Sequence, residues 1–272
     1  MSQITRHPIL DIPQTGETTF TYNGKPITAR SGFTIAAALH NAGYPVHSHS
    51  LTNRNRSLEC GIGKCGACEM WVDGKVKRIC ITPVDGVKEV AEITSEETHP
   101  ATNLHLSVKN REPQKIRTRV AIIGAGPAGL AAREELNKAG VDNLVIDANE
   151  EIGGQFLMQT HQFFFFEQAK KFGGQRGFEI ARSLAGDNHE GIMLGYTVWD
   201  ILEGNWLALK KITEHQDDSS PIVYLHAEQL IIATGAVPFL PAFENDDLPG
   251  VYTAAVVQKM MNQELTLLGK NI

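Results

Sequence analysis

All four cysteines of the chain fall in one stretch, residues 60–80, as Cys60, Cys65, Cys68 and Cys80. Their spacing, C-x4-C-x2-C-x11-C, constrains the fold more than any other feature of the sequence. The first three must share one tight loop, and the fourth must return to them on a strand. Four thiolates converging from a loop and a strand are what a [2Fe–2S] cluster needs. Gly61, Gly63 and Gly66 interrupt the loop. Glycine lets a backbone turn sharply and bring its N–H groups up to sulfur, where they delocalise negative charge and raise the potential of a cluster. Two other uses of four cysteines fit less well. Structural zinc usually takes two short C-x2-C knuckles, whereas here the first two cysteines are five residues apart and the last is isolated. A disulfide framework needs an oxidising compartment, and the opening residues do not read as a secretory signal.

A chain of 272 residues has length for about two domains. Its net charge of −6 argues against a nucleic-acid footprint, which would be basic. No uninterrupted apolar run approaches the length of a membrane span. Because every cysteine is committed to one site, none is left for a second thiol redox centre.

Before the cysteines, residues 1–16 read as a polar lead-in. Residues 18–22 and 25–29 are expected strands joined at Asn23-Gly24, the strongest short hairpin signal because a type I′ turn needs positive φ twice. Residues 34–42 are an expected helix, capped by Thr34 and stopped by Gly43. After the cysteine loop, strands are expected at residues 69–72 and 75–81 around Asp73-Gly74. A hairpin, a helix and then the cysteine loop make a β-grasp arrangement. His47 and His49 precede the loop. Two histidines can replace two cysteines on one iron of a Rieske centre, but with four cysteines present, solvation or loop packing is the expected role.

The segments Tyr22-Asn23-Gly24-Lys25-Pro26-Ile27 and Gly32-Phe33-Thr34-Ile35-Ala36-Ala37-Ala38-Leu39, with residues 60–83, carry a resemblance. Residues 17–92 resemble the plant-type [2Fe–2S] domain of the iron–sulfur subunits of succinate dehydrogenase and fumarate reductase. They are still more similar to the small ferredoxin-like modules of sarcosine oxidase alpha subunits, opine oxidases and hydrogen cyanide synthase. The reading therefore takes residues 15–93 as a ferredoxin-like domain with Cys60, Cys65, Cys68 and Cys80 as cluster ligands. Residues 94–117, polar, charged and with two prolines, read as a linker, in which His99 and His105 are solvated.

Arg119-Val120-Ala121-Ile122-Ile123 is then a short apolar strand. It runs into Gly124-Ala125-Gly126-Pro127-Ala128-Gly129, an expected helix over residues 128–139 ended by Gly140, and a second apolar strand at 144–146 ending in Asp147. This is the βαβ dinucleotide fingerprint in its required context. Gly124 makes the tight turn, Gly126 lets backbone approach a pyrophosphate, and Gly129 lets helix pack on strand. The helix N-terminus offers free N–H groups and a positive dipole to phosphates. Asp147 is placed to accept hydrogen bonds from an adenosine ribose and to disfavour a 2′-phosphate.

Glu151-Ile152-Gly153-Gly154-Gln155, Leu230-Ile231-Ile232-Ala233-Thr234-Gly235 and Pro249-Gly250-Val251-Tyr252-Thr253 follow. Together with the fingerprint they resemble the two-dinucleotide-domain flavoproteins. The Gly-Gly-Gln variant, followed by residues 161–164, is most similar to the alpha subunits of sarcosine oxidase, opine oxidase, hydrogen cyanide synthase and heterotetrameric proline dehydrogenases. The resemblance implies FAD, with NAD as the alternative that some members hold. It implies a Rossmann-like FAD-binding domain over residues 118–272, with Gly124, Gly126, Pro127, Ala128, Gly129, Asp147, Gly153, Gly154, Gln155, Ala233, Thr234 and Gly235 around the cofactor. By the same resemblance Gln155 and the backbone near Gly153 approach the flavin ring. The fold class is thus α+β followed by α/β.

Between these motifs, residues 168–171 and 178–184 read as helices. Residues 191–198, 206–209 and 222–226 read as strands of a small meander, with turns at Gly204-Asn205 and residues 217–220, and His226 as a structural residue. The four phenylalanines at 163–166 either pack under a loop or, if exposed, form an adhesive patch for a partner or a membrane. In the family a second nucleotide-binding domain and a final FAD-domain strand would come next. The reading therefore expects a truncated FAD domain and weak flavin binding by the chain alone.

Flavin handles electron pairs and an iron–sulfur cluster single electrons. The resemblance implies an FAD-dependent electron-transfer subunit of an amine or amino-acid dehydrogenase or oxidase complex, acting on CH–NH donors. Its partners would be a flavoprotein beta subunit and an electron acceptor in a hetero-oligomer, in the cytoplasm or peripherally at the inner face of the membrane. A pyridine-nucleotide–disulfide reductase would need a cysteine pair beside the flavin, and no cysteine follows Cys80. The alternatives are an NAD(P)H-dependent flavin/iron–sulfur reductase and a non-catalytic electron carrier with a vestigial dinucleotide fold. No catalytic acid, base or nucleophile stands out.

Overall fold

Asn23 and Gly24 take positive φ values of 47° and 76°, as a type I′ turn requires, and fold β1 (Glu17–Tyr22) back on β2 (Lys25–Arg30). The computed structural model that this hairpin opens describes residues 3–50, 52–93, 112–164, 167–186, 189–211 and 222–269. The chain divides into two units, Met1–Leu104 together with Val237–Ile272, and His105–Ala236.

In the first unit α1 (Ile35–Asn41) starts where Thr34 Oγ1 accepts from the Ala37 N–H at 3.3 Å. A helix this short is marginal by itself; burial of Ile35, Ala36, Ala37, Ala38 and Leu39 holds it. A small pair, β3 (Ser48–His49) with β4 (Asn55–Arg56), precedes the cysteine loop. The chain leaves the loop through β5 (Glu69–Val72), turns at Asp73-Gly74 into β6 (Lys75–Arg78), and later adds β7 (Glu89–Ala91). The sheet order is β2-β1-β7-β5-β6, with β1 and β7 parallel and the other neighbours antiparallel. Phe20 and Tyr22 on β1, and Met70 and Val72 on β5, are buried at alternate positions, the period-two signature of a one-sided sheet. They meet Leu39, Ile79 and Val90 in one core. The expected strand to residue 81 ends at Arg78.

The second unit begins with β8 (Gln114–Ile123). Residues 114–117, read from sequence as the end of a linker, are strand, because the long β13 (Val223–Ile232) pairs with β8 in parallel from Gln114↔Val223 to Ile123↔Ile232. Residues 94–111 of the expected linker, with His99 and His105, lie outside the described residues. α2 (Pro127–Lys138) and β9 (Asn143–Asp147) complete the βαβ unit. A 3₁₀ turn at Gly154–Met158, another at Glu167–Phe172 and α3 (Gly177–Ala185) follow. Then come β10 (Ile192–Leu194), β11 (Tyr196–Leu202) and β12 (Trp206–Lys211). The sheet order is β10-β9-β8-β13-β12-β11. Its first four strands are parallel, and β13, β12 and β11 form an antiparallel meander.

Three sequence expectations change here. Residues 191–198 are two strands, since Gly195, at φ 71°, ends β10 beside β9 and releases the chain into the meander. Residues 222–226 and 230–232 are one strand, serving the meander with its first half and the parallel sheet throughout. Residues 168–171 are 3₁₀ rather than α. The expected turn at 217–220 lies outside the described residues. One face of the sheet packs Val120, Ile122 and Val145 against Leu130, Ile180 and Leu184, and the other joins Ala121, Ile123 and Ile146 to Leu207, Leu209 and Leu225.

The chain ends in the first unit. The sequence assigns 118–272 to one dinucleotide domain, but Val237–Ile272 groups with the N-terminal residues. Thr253 caps α4 (Ala254–Asn262), its Oγ1 accepting from Val256 N–H. Val256 and Met260, four residues apart on one helix face, enter the core around Leu39 and Met70, with Tyr252 and Leu268 packed against it. Full burial of such a side chain contributes about 1.5–3 kcal/mol. The segment is also bonded in. Ile4 N–H donates to Leu265 O at 2.7 Å, and Asn41 Nδ2 to Thr266 Oγ1 at 3.0 Å. The buried Glu264 carboxylate accepts from Thr34 N at 2.9 Å and Thr34 Oγ1 at 3.0 Å.

Candidate functional site

The cysteine loop leaves β4 through Leu58 and turns repeatedly at Gly61, Gly63 and Gly66, with φ of 64°, 71° and 75°. A Cβ on Gly63 would lie 2.5 Å from Ile81 Cδ1, the movable tip of an exposed side chain, so it is the left-handed conformation that calls for glycine there. The turns aim backbone donors at sulfur: Lys64 N–H and Cys65 N–H approach Cys60 Sγ at 3.3 and 3.4 Å. Cys60, Cys68 and Cys80 are buried and Cys65 is exposed. Their thiols bond in a chain, Cys65 to Cys60, Cys60 to Cys80 and Cys80 to Cys68. Hydrogen bonds from Cys65 and then Cys80 pull the Cys60 thiol strongly down, and the bond from Cys80 pulls Cys68 down. The donors are pushed up in turn: Cys65 by its bond to Cys60, and Cys80 by its bonds to Cys60 and Cys68, with Lys259 acting on Cys80 in the opposite sense. Among the described residues no three His, Cys, Asp or Glu side chains are arranged to hold one metal ion. The four thiols are instead linked pairwise by hydrogen bonds, and a binuclear cluster divides four thiolates between two irons. The donor set, all thiol and served by backbone N–H groups, fits that group.

His47 is fully buried, and His49 is exposed with Nδ1 3.9 Å from Glu92 Oε2. His47 packs edge to face on His40, ring centroids 5.2 Å apart, and His40 Nε2 lies 3.3 Å from Tyr252 Oη. His47 is thus a core residue rather than a solvated one.

In the second unit the nucleotide fingerprint is a cradle built from missing side chains. A Cβ on Gly124 would sit 2.3 Å from Ala233 O, and one on Gly129 would sit 1.9 Å from Gly124 O. Gly126 has nothing within 4 Å of the same point, which leaves open space over the start of α2. Gly126 is the N-cap, offers no side-chain cap, and is followed by Pro127 in the first turn with Ala128 next. The N–H groups there are available to an anion. Asp147 Oδ2 accepts from Ala125 N–H at 2.6 Å, and Oδ1 accepts from Asn149 N and Nδ2 at 2.8 Å. An ionised carboxylate has about four acceptor positions, so ribose hydroxyls remain compatible with these bonds. Gly153 N–H donates to Ala125 O at 2.8 Å, and a Cβ on Gly154 would lie 3.1 Å from Gly126 Cα. The Gly-Gly loop therefore rests on the phosphate turn. Ala233 N–H donates to Ile123 O, and Gln155 Nε2 donates to Ala236 O at 3.0 Å. The structure thus gathers Gly124, Gly126, Gly129, Asp147, Gly153, Gly154, Gln155 and Ala233 around one turn, a setting that fits a dinucleotide.

Phe163 packs with Phe156, centroids 5.2 Å apart, while Phe164 is 93% exposed; Phe165 and Phe166 lie outside the described residues. His226 stacks edge to face on Trp206. Lys259 is a site residue that sequence reasoning missed. It reaches the cysteine loop from α4 and donates to Gly61 O and Cys80 O, and no motif marks it.

Comparison with known proteins gives two family matches. Residues 16–94 match the 2Fe-2S iron–sulfur cluster binding domain, and residues 118–270, more than half of the chain, match pyridine nucleotide-disulphide oxidoreductase. Sarcosine oxidase subunit alpha of Corynebacterium sp. (strain U-96) is 29% identical over 157 residues, 54% of this chain and 16% of the relative. The chain thus spans about a sixth of the length of that relative. Hydrogen cyanide synthase subunit HcnA of Pseudomonas protegens is 29% identical over 103 residues, 37% of this chain and 98% of the relative. The crystal structure of L-proline dehydrogenase from P. horikoshii superposes with a TM-score of 0.75 at 21% identity, over 96% of this chain and 50% of that one, which shows a shared fold. No helix among the described residues is long and apolar enough to cross a membrane.

Proposed function

The chain belongs to the pyridine nucleotide-disulphide oxidoreductase family, and from that premise we propose that it is the redox subunit of an amine- or amino-acid-oxidising complex. Its [2Fe–2S] domain and its FAD-binding Rossmann-like domain make it an oxidoreductase. In the proposed reading Cys60, Cys65, Cys68 and Cys80 ligate the cluster. Gly124, Gly126, Pro127, Ala128, Gly129, Asp147, Gly153, Gly154, Gln155, Ala233, Thr234 and Gly235 surround the FAD. The observation that carries it is the set of four cysteines with N–H donors on Cys60 Sγ, in the same chain as an uncapped helix start between Gly124 and Gly129, where a Cβ would meet backbone.

When bound, FAD exchanges electron pairs and the cluster single electrons, so the pair suits a relay between a two-electron donor and a one-electron acceptor. The chain's own residues position and insulate. N–H groups at Lys64 and Cys65 stabilise charge on sulfur, α2 offers its N-terminus to the pyrophosphate, and Asp147 offers carboxylate oxygens to the ribose. No cysteine lies in the second unit, so dithiol chemistry beside the flavin has no residues to perform it. The names of the two relatives, an oxidase alpha subunit and a synthase subunit, support a hetero-oligomer, and in the proposed reading the partner subunit oxidises the substrate.

The test is to follow bleaching of the cluster's visible absorbance anaerobically. Under this reading an amino-acid or secondary-amine substrate bleaches it only when the partner subunit is present, and NADH alone does not. Bleaching by NADH alone would favour an NAD(P)H-dependent reductase instead.

A further inference from the structure

Lys259 Nζ donates to Gly61 O at 2.6 Å and to Cys80 O at 3.0 Å. These carbonyls belong to the two arms of the sulfur cradle. Gly61 follows the first cysteine on the loop, and Cys80 is the fourth, arriving from the far end of β6. The ammonium thus joins two segments that the local sequence leaves apart. Its own place is fixed from both sides. Val256, one turn earlier on the same helix face, packs on the loop: a Cβ on Gly61 would lie 3.2 Å from Val256 Cγ2 and 3.9 Å from Lys259 Cδ. Met260, the next residue, is buried in the core. Both carbonyl acceptors are neutral and orient the ammonium, and the Glu264 carboxyl, also within electrostatic reach of Lys259, is pushed by burial toward its neutral form.

We propose that Lys259 is a positioning residue of the cluster site, which clamps Gly61 to Cys80 and stabilises the reduced cluster by its charge. The inference rests on the reading that the four cysteines hold a [2Fe–2S] cluster. A cluster on four thiolates is anionic and becomes more so when it gains an electron. Net charge and hydrogen bonding around the sulfurs are what set the potential. A fixed cation at the base of the cradle therefore favours reduction. It also ties cluster chemistry to the C-terminal segment.

The experiment uses the full chain, purified anaerobically as wild type, K259M, K259Q and K259R. Iron and sulfide are assayed, and the midpoint potential is read by redox titration followed by EPR. K259M and K259Q are expected to hold a cluster about tenfold harder to reduce, a potential about 59 mV lower for one electron. K259R, which keeps charge and donors, should recover most of that difference. Loss of iron from K259M and K259Q but not from K259R supports the clamp as well. Loaded K259M or K259Q at the wild-type potential overturns the proposal, and so does K259R matching K259M in potential or in iron loss. Wild-type chain without iron and sulfide overturns the cluster reading itself, a separate outcome.

Discussion

The buried pair His40 and His47 makes the first unit acid-sensitive by a calculable amount. The rings are 5% and 0% exposed. Backbone at Ala36 offsets the burial of His40 only in part, and backbone at Tyr44 does the same for His47. Burial lowers His40 from 6.5 to about 4 and, with added repulsion from His40, lowers His47 to about 3. The unfolded chain therefore binds more protons than the folded one as pH falls, and stability rises with pH. The contribution is complete above the ordinary histidine value and is lost progressively below it. At pH 5 both rings are still neutral in the fold, while an unfolded histidine is mostly protonated. From the tenfold-per-1.36 kcal/mol relation, the cost is about 2 kcal/mol for each histidine, or about 4 kcal/mol for the pair relative to pH 8. This figure is set by the unfolded-state value, because pH 5 lies above both folded ones. Urea unfolding at pH 8 and pH 5, followed by Trp71 fluorescence in a chain with Trp199 and Trp206 replaced by Phe, measures the difference. The single variants H40L and H47L should each remove about half of the pH sensitivity, and the double variant most of it. A double variant that loses as much stability between pH 8 and pH 5 as the parent would refute the reasoning.

Three other outcomes follow from the packing. Gly129→Ala places a Cβ 1.9 Å from Gly124 O and 3.3 Å from Ile122 Cγ2, so α2 must lift from β8. A cost of about 1–3 kcal/mol and a fall in bound FAD are expected, and unchanged flavin content with an unchanged urea midpoint would contradict the cradle. Met260→Ala should destabilise the first unit by about 2–5 kcal/mol, seen by the same Trp71 fluorescence, although the residue lies far along the chain from that unit's sheet. Glu264 is pushed up by burial, so its contribution is present below the ordinary glutamate value and is lost as pH rises through the folded one. E264Q retains an acceptor for Thr34 and should gain stability relative to wild type at pH 8 over pH 5, which paired urea titrations at the two pH values report.

The parts of this molecule legible in its sequence are those that backbone geometry forces. Asn23-Gly24 and Asp73-Gly74 announce their hairpins because few other residues tolerate positive φ. The glycines of the nucleotide turn announce the βαβ unit because a Cβ at Gly124 or Gly129 would meet backbone at 2.3 or 1.9 Å. The cysteine spacing is legible for a chemical reason, since four sulfurs must converge. What the sequence conceals depends on tertiary pairing. Residues 114–117 look like linker because they are polar, and only pairing with β13 makes them strand. The return of residues 237–272 to the first unit is written in Val256 and Met260, whose spacing says amphipathic helix but not which core it enters, and in Glu264 just beyond that helix. Lys259 was invisible for the same reason: a lysine on a half-buried helix reads as solvated until Gly61 O and Cys80 O are found within 3.0 Å of its nitrogen.

The most direct test of the account is a metal, sulfide and flavin analysis of one anaerobically purified sample, with FAD and NAD each titrated into it and a C80S sample beside it. About two irons and two sulfides per chain, lost in C80S, together with saturable binding of FAD in preference to NAD, is the predicted result. Zinc in place of iron, or iron retained in C80S, would contradict the cluster assignment, and preference for NAD over FAD would contradict the flavin assignment.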